Sequence, residues 1–440
     1  MAMDKNLSEP ACSKIKIKGA IDAIAFGGQG ILRDNGFVVF VPFTAPGDFV
    51  EIELTSKKKQ FGEGKLLHLI EPSPLRTEPR CPYFGVCGGC QFQHLSYSAQ
   101  LEMKRKFIED ALKRIAHAPI GVGPVIPSEK NWAYREHIRL NIRLQNQMLV
   151  AGYVGQEHNT FLSVSQCPIF HPENDPLLID LHNFLAQLDQ ENDPPLHVRI
   201  FKQSNQYLLI FSFSGKIAKD LNAKAERALQ TYSTWKGIIL SSPHETIHVG
   251  KTQCSFEIFG LKLHYSPFGF IQNHADQSKK LYQYILDEVP SNAKRVLDLY
   301  SGIGVTSLLL ANKGIETLGI ESHPDTVAMA EQNAKMNGLD RAAFYCGKAE
   351  SVIGRFLKQH SYDVVLLNPP RTGLDARVIS EVATASPERL IYVSCMPSTL
   401  ARDIAQFLKN GYQIEHVQGF DMFPQTTHVE TVITLVKNPI

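Results

Sequence analysis

Hydrophobic residues follow different spacings along the chain, and each spacing predicts a different kind of structure. Residues 14–71 contain short alternating runs separated by the turns Gly27-Gly28-Gln29-Gly30, Asp34-Asn35-Gly36 and Pro46-Gly47-Asp48. Short strands at close intervals with such turns predict a small β-barrel of the OB-like kind. Apolar residues at intervals of three and four then predict a helix over 97–117.

The rest of the chain divides into two larger regions. Residues 132–265 are rich in strand patterns and are interrupted by one helix around 175–188, whereas strand and helix patterns alternate from about residue 275 onward. Such alternation is typical of a parallel, doubly wound α/β sheet. We therefore expect a multi-domain protein with an N-terminal β-barrel, a central α+β domain and a C-terminal α/β domain.

One predicted strand, 135–144 (REHIRLNIRL), alternates strictly between apolar and polar residues. Its apolar side chains fall on one face, and Arg135, Arg139 and Arg143 fall on the other. An ordinary half-exposed strand has the same alternation, but it rarely carries three arginines and no acid on one face. The row therefore favours a contact with nucleic acid.

Composition limits the classes of protein that the chain can belong to. The 440 residues are 43% hydrophobic and 20% charged, with a net charge of +1. These values exclude a disordered polyelectrolyte and a uniformly basic protein, but they permit a local basic face. No run approaches the roughly 20 apolar residues that span a bilayer, and the N-terminal residues lack the apolar core of a secretion signal. We expect a cytoplasmic protein with no membrane partner, and a monomer.

A glycine-rich turn predicts a nucleotide-binding site. The apolar strand 296–300 runs into Ser301-Gly302-Ile303-Gly304, and the next strand ends at Glu321, where a carboxylate can accept hydrogen bonds from ribose hydroxyls. Both a nicotinamide dinucleotide and S-adenosylmethionine fit this pattern. A dinucleotide site would want a third glycine where Ser307 stands, so the smaller nucleoside ligand fits better.

Two further strands should end at the same edge of the sheet. Strand 362–367 stops at Asn368-Pro369-Pro370-Arg371, and strand 390–394 leads to Cys395. A cysteine is often only a small buried apolar residue. At a strand end beside a ligand cleft, however, a thiolate can add to an electrophilic carbon such as C6 of a uracil.

The last predicted strand, 429–436, holds one carboxylate, Glu430, among apolar residues. A strand covered on both faces seldom carries an acid without a partner or a chemical role. Burial would raise its pKa towards neutrality and suit it to proton transfer. A solvent-exposed glutamate at the strand end is the alternative.

Four cysteines form a candidate metal or cluster site. Cys81, Cys87 and Cys90 lie in one loop (CPYFGVCGGC), and Cys167 follows far downstream. Without a secretion signal, this set favours metal or cluster binding over disulfides. Four thiolates suit either zinc or an iron–sulfur cluster, and the spacing does not distinguish them. Cys12, Cys254 and Cys346 are interpreted as ordinary thiols.

Five segments carry a resemblance to the 5-methyluridine RNA methyltransferase family. They are GFIQNH (269–274), DLYSGIGV (298–305), NPPRTG (368–373), SCMPSTLARD (394–403) and PQTTHVET (424–431), in the order and spacing of the family. The N-terminal module resembles the TRAM domain of some members, and the cysteine loop is another hallmark. Together these features cover nearly the whole chain, and their combination is most similar to the bacterial enzymes that act on 23S ribosomal RNA.

The resemblance implies two cofactors, S-adenosylmethionine and a [4Fe–4S] cluster held by the four cysteines. It assigns cofactor contacts to Gln272, Tyr300, Glu321 and Asn368, to which the turn adds Gly302 and Gly304. It also implies that Cys395 adds to C6 of the uracil, that C5 takes the methyl group, and that Glu430 removes the C5 proton before Cys395 is eliminated. The family usually has Asp where Asn368 stands, and Asn is frequent at the position of Val305.

The resemblance also implies domain boundaries. We expect a TRAM-like barrel at 14–72, a central RNA-binding domain with the iron–sulfur site at 73–95 and 130–268, a helical segment at 96–129 that packs on the catalytic domain, and a methyltransferase domain at 269–440.

Three alternatives to a 23S ribosomal RNA methyltransferase are weighed against it. One is a tRNA uridine C5-methyltransferase, and another is an iron–sulfur oxidoreductase that uses NAD. The residue at 307 and the basic strand count against the oxidoreductase. The third, a non-catalytic RNA-binding protein, would leave Cys395 and Glu430 without a role.

Overall fold

A computed structural model describes residues 15–156, 160–172, 174–188 and 194–438, so Cys12 lies outside the described residues. These residues form two compact units. The first is made from the chain through Gly85, Gly89–Met103 and Gln425–Thr427, and the second from Val86–Gly88, Lys104–Pro424 and the chain from His428 onward. Among the described residues, no helix is both long and apolar enough to cross a membrane.

The first unit contains the predicted barrel. Its strands are β1 (Lys16–Ile24), β2 (Gly30–Asp34), β3 (Phe37–Val41), β4 (Phe49–Lys57) and β5 (Phe61–Glu71), closed in the order β1-β2-β3-β5-β4. Alternation along β4 buries Val50, Ile52 and Leu54, which pack with Leu32 and Val39 in the core. The barrel expected from the short strands and glycine turns is confirmed. The helix predicted over 97–117 is α1 (Tyr97–Arg114).

The second unit contains a mostly antiparallel sheet, which we call the central sheet. Its order is β12-β11-β10-β9-β6-β7-β8. The strands are β6 (His137–Gln145), β7 (Met148–Val154), β8 (Phe161–Ser163), β9 (His197–Gln203), β10 (Gln206–Ser212), β11 (Trp235–Ser241) and β12 (Thr246–Gly250), with α2 (Leu177–Leu185) against β7 and α3 (Leu221–Thr231) against β11 and β12. A hairpin of β13 (Cys254–Ile258) and β14 (Leu261–Tyr265) follows.

A second sheet in the same unit, the C-terminal sheet, has the order β17-β16-β15-β18-β19-β21-β20. Its strands are β15 (Arg295–Leu299), β16 (Glu316–Glu321), β17 (Ala342–Cys346), β18 (Val364–Leu367), β19 (Arg389–Ser394), β20 (Tyr412–Phe420) and β21 (Glu430–Lys437). Its helices are α4 (Ala275–Glu288), α5 (Val305–Asn312), α6 (Pro324–Met336), α7 (Ala349–Gln359), α8 (Ala376–Ala385) and α9 (Pro397–Lys409).

The alternation of strands and helices predicted a parallel sheet, but the C-terminal sheet is only partly parallel. Strands β15 to β19 are parallel to one another, whereas β21 lies between β19 and β20 and is antiparallel to both. The physical reason is the connection from β20 to β21, which contains no crossover helix. A direct connection between neighbouring strands reverses the chain, since a parallel pair needs a long crossover.

Candidate active site

The glycine turn after β15 has a left-handed backbone at three of its residues. The φ angles are 63° at Tyr300, 57° at Gly302 and 81° at Gly304, which precedes the first residue of α5. At Gly304 a side chain would also approach the Phe344 ring to 2.5 Å. A positive φ is rare for a residue such as Tyr300. The turn therefore brings the backbone close to whatever lies above the strand ends.

Glu321 ends β16, the strand beside β15, and its carboxylate is held by backbone amides. One oxygen accepts hydrogen bonds from the amides of Ser322 at 2.6 Å and His323 at 3.0 Å, and the other accepts from the Gly302 amide at 3.2 Å. A carboxylate fixed beside the turn in this way is suited to accept hydrogen bonds from ribose hydroxyls.

A cavity of about 320 Å³ opens beside this turn. It is lined by Gln272, Tyr300, Gly302 and Asn368, four of the six residues expected to contact the cofactor. The other two, Gly304 and Glu321, lie in the same turn and beside it rather than in the cavity wall. The sequence motifs 269–274, 298–305 and 368–373 thus meet at one site.

Asp298 is a residue of this site that was not among the candidates predicted from the sequence. It lies in the cavity wall, and burial raises the pKa of its carboxyl to about 7. The Ser307 hydroxyl donates a 2.7 Å hydrogen bond to it. Ser307, which replaces the third glycine of a dinucleotide motif, therefore supports Asp298. The acid within an otherwise apolar strand was the signal that could have identified it.

Cys395 and Glu430 meet because β21 is antiparallel to β19. Their register pairs Ser394 with Thr431, and its continuation by one residue places Cys395 opposite Glu430. Opposed residues in an antiparallel pair share a face, with Cα atoms about 4.5–5.5 Å apart. The reversal also explains why the first residue of β21 lies at the carboxyl edge of the parallel strands.

Both side chains favour their neutral forms. Burial raises the pKa of Glu430 to about 8, and the glutamate is 5% exposed rather than at a solvated strand end. Burial and the nearby Glu430 charge raise the pKa of the Cys395 thiol. The hydroxyl of Tyr282, a cavity residue, has its pKa raised by burial and by the charges of Asp298 and Glu430. The Glu430 carboxylate therefore lies close enough to the cavity to affect the pKa of Tyr282 in its wall.

Arg371 is the cation that opposes these shifts, and the sequence motifs did not indicate a role for it. Its guanidinium lies near the Cys395 thiol, and its charge lowers the pKa values of Cys395 and Glu430. Burial and the charges of Arg371, Lys104 and Arg135 lower the pKa of His428 to about 4, so that imidazole stays neutral. The position of Arg371 directly after two prolines at a strand end was its available signal.

Helix α9 holds the loop that carries Arg371. The Thr399 hydroxyl donates to the Arg371 carbonyl at 3.1 Å, and Arg402 donates to the Thr372 carbonyl at 2.9 Å. The buried Asp403 accepts from the Leu374 amide at 2.7 Å. These contacts fix the cation beside the thiol.

The three predicted RNA-binding arginines occupy two kinds of position. Arg139 and Arg143 lie on β6 and are exposed, as the alternation predicted. Arg135 precedes the strand, and its side chain is half-buried and acts electrostatically on His137 and His428. A further arginine, Arg199 of β9, pairs directly with Arg139 and was missed because the two are far apart in sequence.

The cysteines of the loop and Cys167 lie in both units. In the first unit, Cys90 is buried and the Cys81 amide donates to Gln93 at 3.0 Å. In the second, the Tyr153 hydroxyl lies 3.5 Å from the Cys167 sulfur, and burial, Cys167 and Cys87 raise the pKa of that hydroxyl. Cys254 is a buried core residue, and Cys346 is exposed at the end of β17.

Residues 96–438 match the family model described as tRNA (uracil-5-)-methyltransferase, and residues 17–75 match the TRAM domain of tRNA (uracil(54)-C(5))-methyltransferase. The chain belongs to the tRNA (uracil-5-)-methyltransferase family. It is therefore an S-adenosylmethionine-dependent enzyme that methylates C5 of uracil in RNA. This settles the choice of ligand that the glycine turn left open in favour of S-adenosylmethionine.

Relatives of this family are similar over almost their whole length. An uncharacterised RNA methyltransferase of Protochlamydia amoebophila is 42% identical, covering 96% of this chain and 98% of the relative. Another, of Thermosynechococcus vestitus, is 34% identical and covers 95% and 97%. The crystal structure of Pyrococcus abyssi tRNA (uracil-54, C5)-methyltransferase with S-adenosyl-L-homocysteine is similar at a TM-score of 0.75 and 25% identity, covering 96% of this chain and all of that one.

Proposed function

We propose that the enzyme methylates a uridine of 23S ribosomal RNA, with Cys395 as the nucleophile and Glu430 as the base. The observation that supports these two roles is the antiparallel register of β19 and β21. It brings a thiol and a buried carboxylate to the same strand edge, beside the Arg371 cation.

The residue types fit the chemistry that C5 methylation demands. C5 of uracil is a poor nucleophile, and addition of the Cys395 thiolate to C6 makes an enolate with electron density at C5. C5 would then take the electrophilic methyl group of S-adenosylmethionine, and S-adenosylhomocysteine would be the leaving group. Glu430 then accepts the C5 proton, and the electron pair of that bond expels the Cys395 thiolate. A carboxyl with a pKa of about 8 is well matched to accepting a proton near neutral pH.

Six residues are proposed to hold the cofactor: Gln272, Tyr300, Gly302, Gly304, Glu321 and Asn368. Amide-held Glu321 would accept from the ribose, and the turn would let the backbone approach the ligand. Asn368 keeps an oxygen acceptor at the cavity wall, but unlike the aspartate usual in the family it brings no negative charge. We also propose that Arg135, Arg139 and Arg143 contact the RNA.

Cys81, Cys87, Cys90 and Cys167 are proposed to hold a [4Fe–4S] cluster. Four thiols are a donor set that suits such a cluster, and the sulfurs of Cys87 and Cys167 both act on the Tyr153 hydroxyl. The cluster would stabilise the fold rather than transfer electrons, since the methylation is not a redox reaction. Protein purified anaerobically should absorb broadly in the visible region and contain iron and sulfide. Colourless protein that carries zinc would contradict the cluster.

A tRNA substrate is the second candidate, and it is favoured by two observations. The TRAM model that matches the barrel comes from a tRNA (uracil-54) methyltransferase, and so does the similar crystal structure. The direct test offers the purified enzyme unmodified 23S ribosomal RNA and unmodified tRNA separately, with labelled S-adenosylmethionine. Methyl transfer to tRNA alone would overturn the ribosomal assignment but leave the C5 chemistry unchanged.

The nucleophile assignment predicts that Cys395→Ala abolishes methyl transfer. A thiol-free side chain cannot add to C6, so turnover should fall by roughly three orders of magnitude or more, to the background of the assay. The matched control is Cys346→Ala, which removes an exposed thiol at the end of another strand of the same sheet and should leave the rate nearly unchanged. Measurable turnover by Cys395→Ala would exclude the thiol as nucleophile.

A further inference from the structure

Two arginines of the central sheet lie opposite each other, an arrangement that destabilises the pairing of their strands. Strands β6 and β9 are antiparallel, and their register places Arg139 directly opposite Arg199. Directly opposed side chains share a face of the sheet, with Cβ atoms about 4.5–5.5 Å apart, and like charges at such positions destabilise the pairing. The stability of the fold therefore does not explain why two arginines lie opposite each other.

Among the described residues, no carboxylate forms a salt bridge with either arginine of this pair. The Arg139 guanidinium lies 3.3 Å from His197 Nδ1, and Arg199 donates to the carbonyls of Pro267 and Phe268, each at 3.4 Å. Burial and both arginines lower the pKa of His197, so the imidazole stays neutral and can accept from Arg139. Two positive charges thus face outward with only neutral partners.

The pair lies where the central sheet meets the loop that lines the cofactor cavity. Arg199 contacts the backbone at Pro267 and Phe268, and the same loop continues to Gln272 in the cavity wall. Two register positions further along, the ring of His137 stacks on Phe201 with centroids 5.0 Å apart. The same loop region ends at Asn273, which accepts a 2.8 Å hydrogen bond from the His137 amide. The arginine pair therefore lies beside the loop that continues into the cavity wall.

We propose that Arg139 and Arg199 together bind a backbone phosphate of the RNA strand that leads to the target uridine. Guanidinium groups bind phosphate oxygens in a planar, bidentate manner, and one phosphate between two of them would remove their mutual repulsion. Arg143 lies four residues along β6, about 13 Å away at the usual rise per residue, and would meet the strand further from the site. This inference rests on the proposed function only in requiring RNA as the substrate.

The test is the salt dependence of RNA binding by the full-length enzyme. The probe is a fluorescent oligouridylate, titrated with wild type, Arg139→Gln, Arg199→Gln and the double variant at several salt concentrations. Loss of this one phosphate contact in the double variant should lower the slope of log Kd against log salt by about 0.7 for a single strand, and each single variant should lower it by a smaller amount. Arg199→Lys keeps the charge and should keep the slope. The control Arg227→Gln removes an exposed arginine of α3 and should change nothing.

A second measurement separates RNA binding from a structural role. Without RNA, Arg139→Gln should melt no lower than wild type, because the variant relieves like-charge repulsion. Its affinity for S-adenosylhomocysteine should also be unchanged. An unchanged salt slope in the double variant, or a lower melting temperature with loss of S-adenosylhomocysteine binding, would overturn the proposal. Methyl transfer by wild type to 23S ribosomal RNA is measured separately, so failure of that substrate assignment would be recognised independently.

Discussion

The two large sheets of the second unit place their functional groups differently. The central sheet has α2 and α3 packed against it and carries exposed arginines on the alternate residues of β6. In the C-terminal sheet, all four residues of β18 are buried, and the polar candidates Cys395 and Glu430 lie at one edge. A sheet with an open face can bind along that face, whereas a sheet covered on both faces can present chemistry only where its strands end.

The difference extends to electrostatics. The arginines of the central sheet are partly in water, where a charge contributes mainly to binding and is screened by salt. At the edge of the C-terminal sheet, burial raises the pKa of Asp298 to about 7 and that of Glu430 to about 8. Substitutions at the edge should therefore change the rate of the chemical step, and substitutions on the face should change RNA affinity. Three predictions test that division.

The largest effect is expected at the edge, from Glu430→Gln. The amide cannot accept the C5 proton, so turnover should fall by roughly 10²- to 10⁴-fold. Addition of Cys395 and methyl transfer would still proceed, and the enzyme should accumulate a covalent adduct with RNA. A denaturing gel with labelled RNA measures the adduct, and labelled S-adenosylmethionine measures turnover.

Glu388→Gln is the matched control for this prediction. It neutralises an exposed glutamate just before β19, at the opposite edge of the same sheet, and should leave turnover unchanged and trap no adduct. Normal turnover by Glu430→Gln with no adduct would mean that another group removes the proton.

Glu430 also illustrates what could be predicted from the sequence. A lone acid in an apolar strand predicted a buried carboxylate with a raised pKa, and both features are present. The family resemblance implied that Cys395 and Glu430 act on the same uracil, but the strand pairing that brings them together could not be predicted, because the alternation of strands and helices indicated parallel strands only. The antiparallel insertion of β21 between β19 and β20 depends on long-range pairing, and that pairing is what brings Glu430 opposite Cys395.

Arg371 and Arg199 could not be identified from the sequence for the same physical reason, which is that their roles depend on long-range contacts. Arg371 acts on Cys395 through a loop held by α9, and Arg199 acts beside Arg139 through the register of two strands separated by α2 and two other strands. Local patterns identified the exposed face of β6 and the ends of the strands. They carry no information on which distant strand lies alongside.

An intermediate effect is expected from Arg371→Gln, which should shift the pH profile. Arg371 lowers the pKa values of both Cys395 and Glu430, and both groups act in their deprotonated forms. Without the cation both pKa values rise, so kcat/KM should reach its plateau at a pH higher by roughly one unit, with roughly ten- to a hundredfold less activity near neutral pH, where the losses at the two groups multiply.

The measurement is kcat/KM for RNA between pH 6 and pH 10, with Arg371→Lys as the conservative variant that keeps the charge. The rate of adduct formation in the Glu430→Gln background isolates the thiol and should show the same direction of shift. If Arg371→Gln leaves the pH profile unchanged and only raises KM, Arg371 binds RNA, like the exposed arginines of β6. It would then have no part in setting the pKa values of Cys395 and Glu430.

The smallest effect is expected from Arg143→Ala, at the far end of the basic face. This exposed arginine stacks over the Phe161 ring, 5.3 Å from its centroid, and has no opposed arginine, since the register pairs it with Val150. A single exposed cation contributes little, so the RNA affinity should fall only a few-fold and the salt slope by about 0.7. The single-turnover rate at saturating RNA should stay at the wild-type value, because the residue lies far along β6 from the cavity loop. A fall in that rate would contradict the separation of binding face from catalytic edge, whereas a loss confined to affinity would extend the RNA path from the arginine pair along β6.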